Sequence, residues 1–141
     1  MKRELKVCNE WRDKRDRGIL MNFELTASMM CANYGHLARE VKDLEEGGID
    51  SFHIDIMDGS FVPNITLGFD LVNTIKNITD MPLDVHMMVN EPSKLIDRMN
   101  LDENDIVCIH YESEIHIHRA LEMIKNKGCK AGLALNPQTP L

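Results

Sequence analysis

No run of apolar residues in this 141-residue chain is long enough to span a bilayer, and its opening positions are crowded with charge where a secretory leader would be apolar. The cytoplasm is therefore the expected location, with no membrane partner. A basic excess is missing too. Sixteen Lys and Arg stand against 23 Asp and Glu, and the resulting net charge of −7 argues against nucleic acid as the main partner, because phosphate binding draws on a positive surface. The four cysteines, Cys8, Cys31, Cys108 and Cys129, lack the paired spacing of a zinc ribbon or a redox motif. Reduced thiols used for packing are the expectation. Linker-like stretches are absent as well, and with 43% hydrophobic content the chain is expected to bury one core as a single globular unit.

Residues 1–21 differ from the rest. Lys2, Arg3, Lys6, Arg12, Lys14, Arg15 and Arg17 outnumber Glu4, Glu10, Asp13 and Asp16, so this segment is basic while the remainder is strongly acidic. A surface helix around Trp11 and a basic arm are alternatives. The abrupt change favours an upstream start with Met21 as the natural first residue, and no site is sought there. Residues 22–141 are expected to form the folded part.

From Phe23 onward the chain alternates between strand-like and helix-like segments. The pattern predicts strands at Phe23–Ser28, Ser51–Met57, Leu83–Met88, Ile106–His110 and Lys130–Leu135. Helices are predicted at Tyr34–Glu46, Phe69–Asn77, Pro92–Met99 and Glu114–Lys127. Gly47-Gly48 and Gly128 stand where helices should stop, and Asn33 and Glu91-Pro92 where helices should start. Repeated strand–helix–strand units with short, right-handed connections give an α/β fold with a parallel sheet and helices outside it.

The chemistry concentrates in His53-Ile54-Asp55-Ile56-Met57-Asp58-Gly59. On a strand, His53, Asp55 and Met57 share one face while Ile54 and Ile56 share the other. Aliphatic residues on the outside and polar ones on the inside reverse the pattern of a half-solvated strand and match an inner strand of an α/β barrel. The pattern returns at Asp84-Val85-His86-Met87-Met88. A lone histidine in an apolar strand is more often a hydrogen-bonded core residue than a ligand. Two histidines and a carboxylate of one parity tip the reading toward a metal site. Nitrogen and oxygen donors suit zinc, iron, manganese or cobalt without choosing among them.

These two motifs, with Phe61-Val62-Pro63-Asn64-Ile65-Thr66-Leu67-Gly68 and Leu135-Asn136-Pro137-Gln138-Thr139-Pro140, resemble the ribulose-phosphate 3-epimerase family in sequence and order over Phe23 to Leu141. The resemblance implies a (β/α)8 TIM barrel, of which this chain carries the N-terminal part with about five strands and four helices. It also implies an isomerase of the pentose phosphate pathway that interconverts D-ribulose 5-phosphate and D-xylulose 5-phosphate. Removing the C3 proton leaves negative charge on two oxygens, which a divalent metal stabilises, and inversion needs an acid/base group on each face of the planar enediolate.

By position in those motifs, His53, Asp55 and His86 match metal ligands, and Asp55 also matches one of the two acid/base carboxylates. Ser28 and His86 match substrate-contacting residues, and Met57 and Met88 match methionines lining the site, where the bland alternative is core packing. The family's second aspartate and its phosphate-binding loops belong to later strands. A missing C-terminal half or a homo-oligomer is therefore expected, since the first and fifth strands would leave open edges. Met29-Met30-Cys31 departs from the usual Ile-Leu-Ser and resembles the branch acting on D-allulose 6-phosphate. D-allulose-6-phosphate 3-epimerase, or an inactive half-barrel that binds metal or a partner, are thus the alternative expectations. His110 and Glu112 face either the site or structural partners, and the sequence does not choose. His116 and His118, two apart on a predicted helix, point in different directions and are not expected to be ligands.

Overall fold

The computed structural model describes residues 24–140. The basic segment 1–21, with Cys8 and Trp11, the predicted strand start at Phe23 and the terminal Leu141 all lie outside the described residues. Five strands, β1 (Thr26–Ser28), β2 (Ser51–Met57), β3 (Leu83–Met88), β4 (Ile106–His110) and β5 (Lys130–Ala134), form one sheet in sequential order. Every pairing is parallel. Three helices, α1 (Leu37–Gly47), α2 (Phe69–Lys76) and α3 (Ile117–Asn126), lie in the connections.

β-branched and aliphatic residues on one parity drive this arrangement. Phe52, Ile54 and Ile56 of β2, Leu83, Val85 and Met87 of β3, and Val107 and Ile109 of β4 are all buried. The core that includes them also takes in Val41 of α1, Leu71, Val72 and Ile75 of α2, and Ala120 and Ile124 of α3. Each large aliphatic side chain removed from water in this way stabilises the fold by about 1.5–3 kcal/mol. The opposite parity is only half-buried along β2 and β3, with His53, Asp55, Met57, Asp84, His86 and Met88 on it. The outside of the sheet is thus the apolar core and the inside carries the polar groups, as the strand pattern predicts.

The expected helix at Pro92–Met99 is absent. Two 3-10 turns, Pro92–Lys94 and Ile96–Arg98, replace it, separated by Leu95 at φ −112. Pro92 brings no amide donor, and the end of the segment is captured from outside. The Asn73 side chain of α2 donates to the Arg98 carbonyl at 3.0 Å and accepts from the Asn100 amide at 2.7 Å. Ile96 and Met99, three apart, are both buried, the spacing that a 3-10 turn stacks on one side.

Two other helices start later than the spacing suggests. Tyr34–His36 is a 3-10 turn capped by Asn33, whose side chain accepts from the Gly35 amide, and α1 follows it. At Glu114 the carboxylate accepts from the Ser93 hydroxyl at 2.6 Å, and α3 begins only at Ile117. Gly48 ends α1 in the left-handed region at φ 83, which a side chain would strain. β1 is shorter than expected. The Leu25 amide just before it donates to the Asp50 side chain at 2.8 Å rather than to a neighbouring strand.

Candidate active site

Strand register, which no single segment reveals, decides which inner-face residues meet. Ser28 pairs with His53, His53 with Asp84, Asp55 with His86, and Met57 with Met88. The residues singled out in the sequence therefore occupy adjacent positions across three strands near their C-terminal ends, the functional end of a parallel barrel sheet.

Asp55 lies at the centre. Its Oδ1 is 3.1 Å from His53 Nε2 and 3.2 Å from His86 Nδ1. These three side chains each offer a ligand atom within 4.8 Å of the others, a group that could hold a metal ion. Each imidazole has a second partner on its far nitrogen. His53 Nδ1 lies 2.8 Å from Asp84 Oδ2, and His86 Nε2 lies 2.8 Å from His110 Nε2. A carboxylate on one imidazole nitrogen, with the other facing the centre, is how metal-binding histidines are commonly oriented, so the donor set fits a divalent first-row ion.

The two imidazoles are tuned in opposite directions. Burial alone would lower the His53 pKa, but the hydrogen bond and charge of Asp84, together with Asp55, outweigh it and hold it above the ordinary histidine value. His86 is held below that value, first by burial and then by the neighbouring His110, which Asp55 only partly offsets. His86 therefore favours its neutral form, with a lone pair available to a ligand-binding role.

Loops at this end are tied to one another. The Thr66 hydroxyl donates to the Asp55 carbonyl at 2.8 Å and accepts from the Met57 amide at 2.9 Å, closing the loop after β2 back onto its own strand. Asp58 accepts from the amides of Ser60, Phe61 and Asn90, each at 2.8 Å, which joins the loop after β2 to the loop after β3. Gly59, between these contacts, has φ +75, and a Cβ there would come within 2.8 Å of Ile65. The Glu91 amide donates to the Ser113 carbonyl, continuing the chain of contacts to the loop after β4.

Sequence reasoning named His53, Asp55, His86, Met57, Met88 and Ser28, and all lie at this end of the sheet. Ser28 is exposed at the end of β1, its hydroxyl accepting weakly from the Met30 amide at 3.4 Å. Asp84, Thr66 and Asp58 were not singled out as site residues. The parity of Asp84 with His86 was the only signal for it. His110, left open by the sequence, faces the site through His86. His116 and His118 stand apart on the exposed start of α3, with His118 Nδ1 3.7 Å from Glu122. The described cysteines, Cys31, Cys108 and Cys129, are free thiols, and burial pushes the latter two up in pKa, away from reactive thiolate. Among the described residues, no helix is long and apolar enough to cross a membrane.

The family profile described as the ribulose-phosphate 3 epimerase family matches residues 24–141. The chain is 45% identical over 118 residues to a ribulose-phosphate 3-epimerase of Bacillus subtilis, covering 84% of this chain and 54% of the relative. It is 44% identical over 128 residues to the chloroplastic ribulose-5-phosphate-3-epimerase of Arabidopsis thaliana, covering 89% and 46% respectively. With a ribulose-phosphate 3-epimerase of Methanocaldococcus jannaschii it shares 40% identity over 118 residues, 84% of this chain and 50% of the relative. The chain spans about half the length of the curated relatives it matches. With the five-stranded parallel sheet and the inner-face histidine–carboxylate group already described, these matches show that the chain belongs to the ribulose-phosphate 3-epimerase family.

Proposed function

We propose that this chain carries the metal-binding and proton-abstracting part of a ribulose-phosphate 3-epimerase, an isomerase that interconverts D-ribulose 5-phosphate and D-xylulose 5-phosphate at C3. The observation that supports it is the convergence of His53, Asp55 and His86 at the C-terminal end of a parallel sheet. These three residues would hold a divalent ion, zinc, iron(II), manganese or cobalt, and its positive charge would offset the negative charge that builds on the substrate oxygens as C3 loses its proton.

Asp55 takes that proton. Its carboxylate is only 14% exposed and is fixed from both sides by imidazoles, so little reorganisation accompanies proton transfer. Ser28, beside His53 in the sheet, offers a hydroxyl to a sugar oxygen. Met57 and Met88 cover the site with side chains that carry no exchangeable proton and keep water from the carbanion. The reaction belongs to carbohydrate metabolism in the pentose phosphate pathway, and a cytoplasmic, homo-oligomeric protein is the accompanying reading.

The test is C3 hydrogen exchange of D-ribulose 5-phosphate in heavy water, followed by NMR alongside formation of the C3 epimer, with D-allulose 6-phosphate as the comparison sugar. Metal-saturated chain should exchange the C3 hydrogen and Asp55→Asn should lose exchange by about 100-fold or more. Unchanged exchange in Asp55→Asn would overturn the assignment of Asp55 as the base, and no exchange by the folded, metal-saturated wild-type chain would replace this reading with that of an inactive half-barrel that binds metal.

A further inference from the structure

We infer that His110, steered by Glu112, is a positioning residue that fixes the tautomer and orientation of His86. The inference rests on the reading of His86 as a metal ligand. His110 ends β4 on the inner face and is only 8% exposed. Its ring stacks on that of His86, with centroids 5.0 Å apart and planes 24° apart, and Phe61 lies 4.9 Å from it. The two Nε2 atoms are 2.8 Å apart. At that distance one must carry the hydrogen and the other must accept it.

Glu112 faces the outer nitrogen of His110. Its Oε2 lies 3.5 Å from His110 Nδ1, an ion-pair distance, and that buried nitrogen makes no hydrogen bond among the described residues. An ionised carboxylate can only accept, so Glu112 favours a hydrogen on Nδ1 of His110 and an accepting Nε2. With Nδ1 of His86 given to a metal held beside Asp55, the hydrogen of His86 stands on Nε2 and is donated to His110 Nε2; without a metal, the 3.2 Å contact with Asp55 calls for the hydrogen on Nδ1 instead. Glu112 is itself held by the loop after β5. Its Oε1 accepts from the Asn136 amide at 2.8 Å and from the Thr139 hydroxyl. Glu112, His110, His86 and Asp55 thus stand in one row, anchored by the Asn136–Thr139 segment.

Cobalt(II) titration of the 141-residue chain, read by visible absorption, tests this without reference to turnover. His110→Phe keeps an aromatic ring against Phe61 and His86 but removes the acceptor, and should weaken cobalt binding about 10- to 100-fold. His110→Gln restores an oxygen acceptor and should recover part of that loss. Two-bond proton–nitrogen NMR of the zinc-bound wild type should find His110 protonated at Nδ1, with Glu112→Gln releasing that preference. Folded His110→Phe that binds cobalt as tightly as wild type, or His110 protonated at Nε2 in the wild type, overturns the positioning role alone. Should the Phe variant not fold, the Gln variant and the wild-type tautomer still decide. Wild-type chain that binds no cobalt overturns the metal reading of the site and this inference with it.

Discussion

His53 has Asp84 on one ring nitrogen and Asp55 on the other, and this double contact makes Asp84 the next residue to test. Removing an outer carboxylate from a metal-facing histidine frees the ring to rotate and typically costs 10- to 100-fold in metal affinity. Asp84→Ala should therefore weaken cobalt binding by about that factor while leaving thermal stability nearly unchanged, because Asp84 is partly exposed on the inner face. Equal affinity in the two proteins would show that Asp55 alone orients His53. Thr66 acts from the backbone side. Thr66→Val keeps the shape but loses two hydrogen bonds at the end of β2, and should lower stability by about 1–3 kcal/mol in a denaturant melt. That His53, Asp55 and His86 share the inner face was legible because the period of a strand is fixed by covalent geometry. Asp84, Thr66 and His110 were not, because their partners are set by register and loop closure between segments 9 to 31 residues apart.

Lys76 joins the end of α2 to the turn before β4, at the end of the sheet opposite the site. Its side chain is 8% exposed, and its ammonium lies 3.1 Å from Asp105 Oδ2 and 2.6 Å from Asp102 Oδ2. Asp105, fully buried, also accepts from the amides of Leu83 and Asp102. Burial alone would lower the Lys76 pKa, but Asp102 and Asp105 outweigh it and raise it. The hydrogen bond from Lys76, reinforced by the Asn104 amide, lowers Asp102.

The raised lysine contributes stability that is full below its unfolded pKa of about 10.4 and is lost as pH rises through the folded value. The lowered aspartate contributes stability present above about 3.9 and lost as pH falls through its folded value. Lys76→Met strands a buried carboxylate and should cost about 3 kcal/mol near neutral pH, with a flatter stability profile at both limbs. A variant as stable as wild type, with both limbs intact, would remove this network from the account of the fold. Four of the five strands kept the bounds read from hydrophobic runs to within a residue, since an apolar parity identifies itself. The Pro92–Met99 segment did not, because what stops its helix is Asn73, a residue of another element.

Across the whole molecule, the sheet runs from β1 at one side to β5 at the other, and among the described residues both are edge strands. An edge in a parallel sheet presents unpaired amides and carbonyls ready to accept another strand. β5 adds apolar surface to that edge. Leu133 is 43% exposed and Leu135 39%, although Ile54, Val85, Val107 and Ile109, on the same outer face of the inner strands, are buried beneath the helices. The 141-residue chain should therefore self-associate, with a sedimentation coefficient that rises with concentration over the micromolar range. Leu133→Lys places a charge on the outer face of that edge, where it repels a second copy but meets no core neighbour. It should shift the chain toward monomer while changing thermal stability by no more than about 0.5 kcal/mol, as expected for a surface substitution. If the wild type sediments as a monomer at all concentrations, the β5 edge does not drive association. If Leu133→Lys instead lowers the melting temperature strongly, Leu133 is buried against another part of the same chain rather than offered to a second copy.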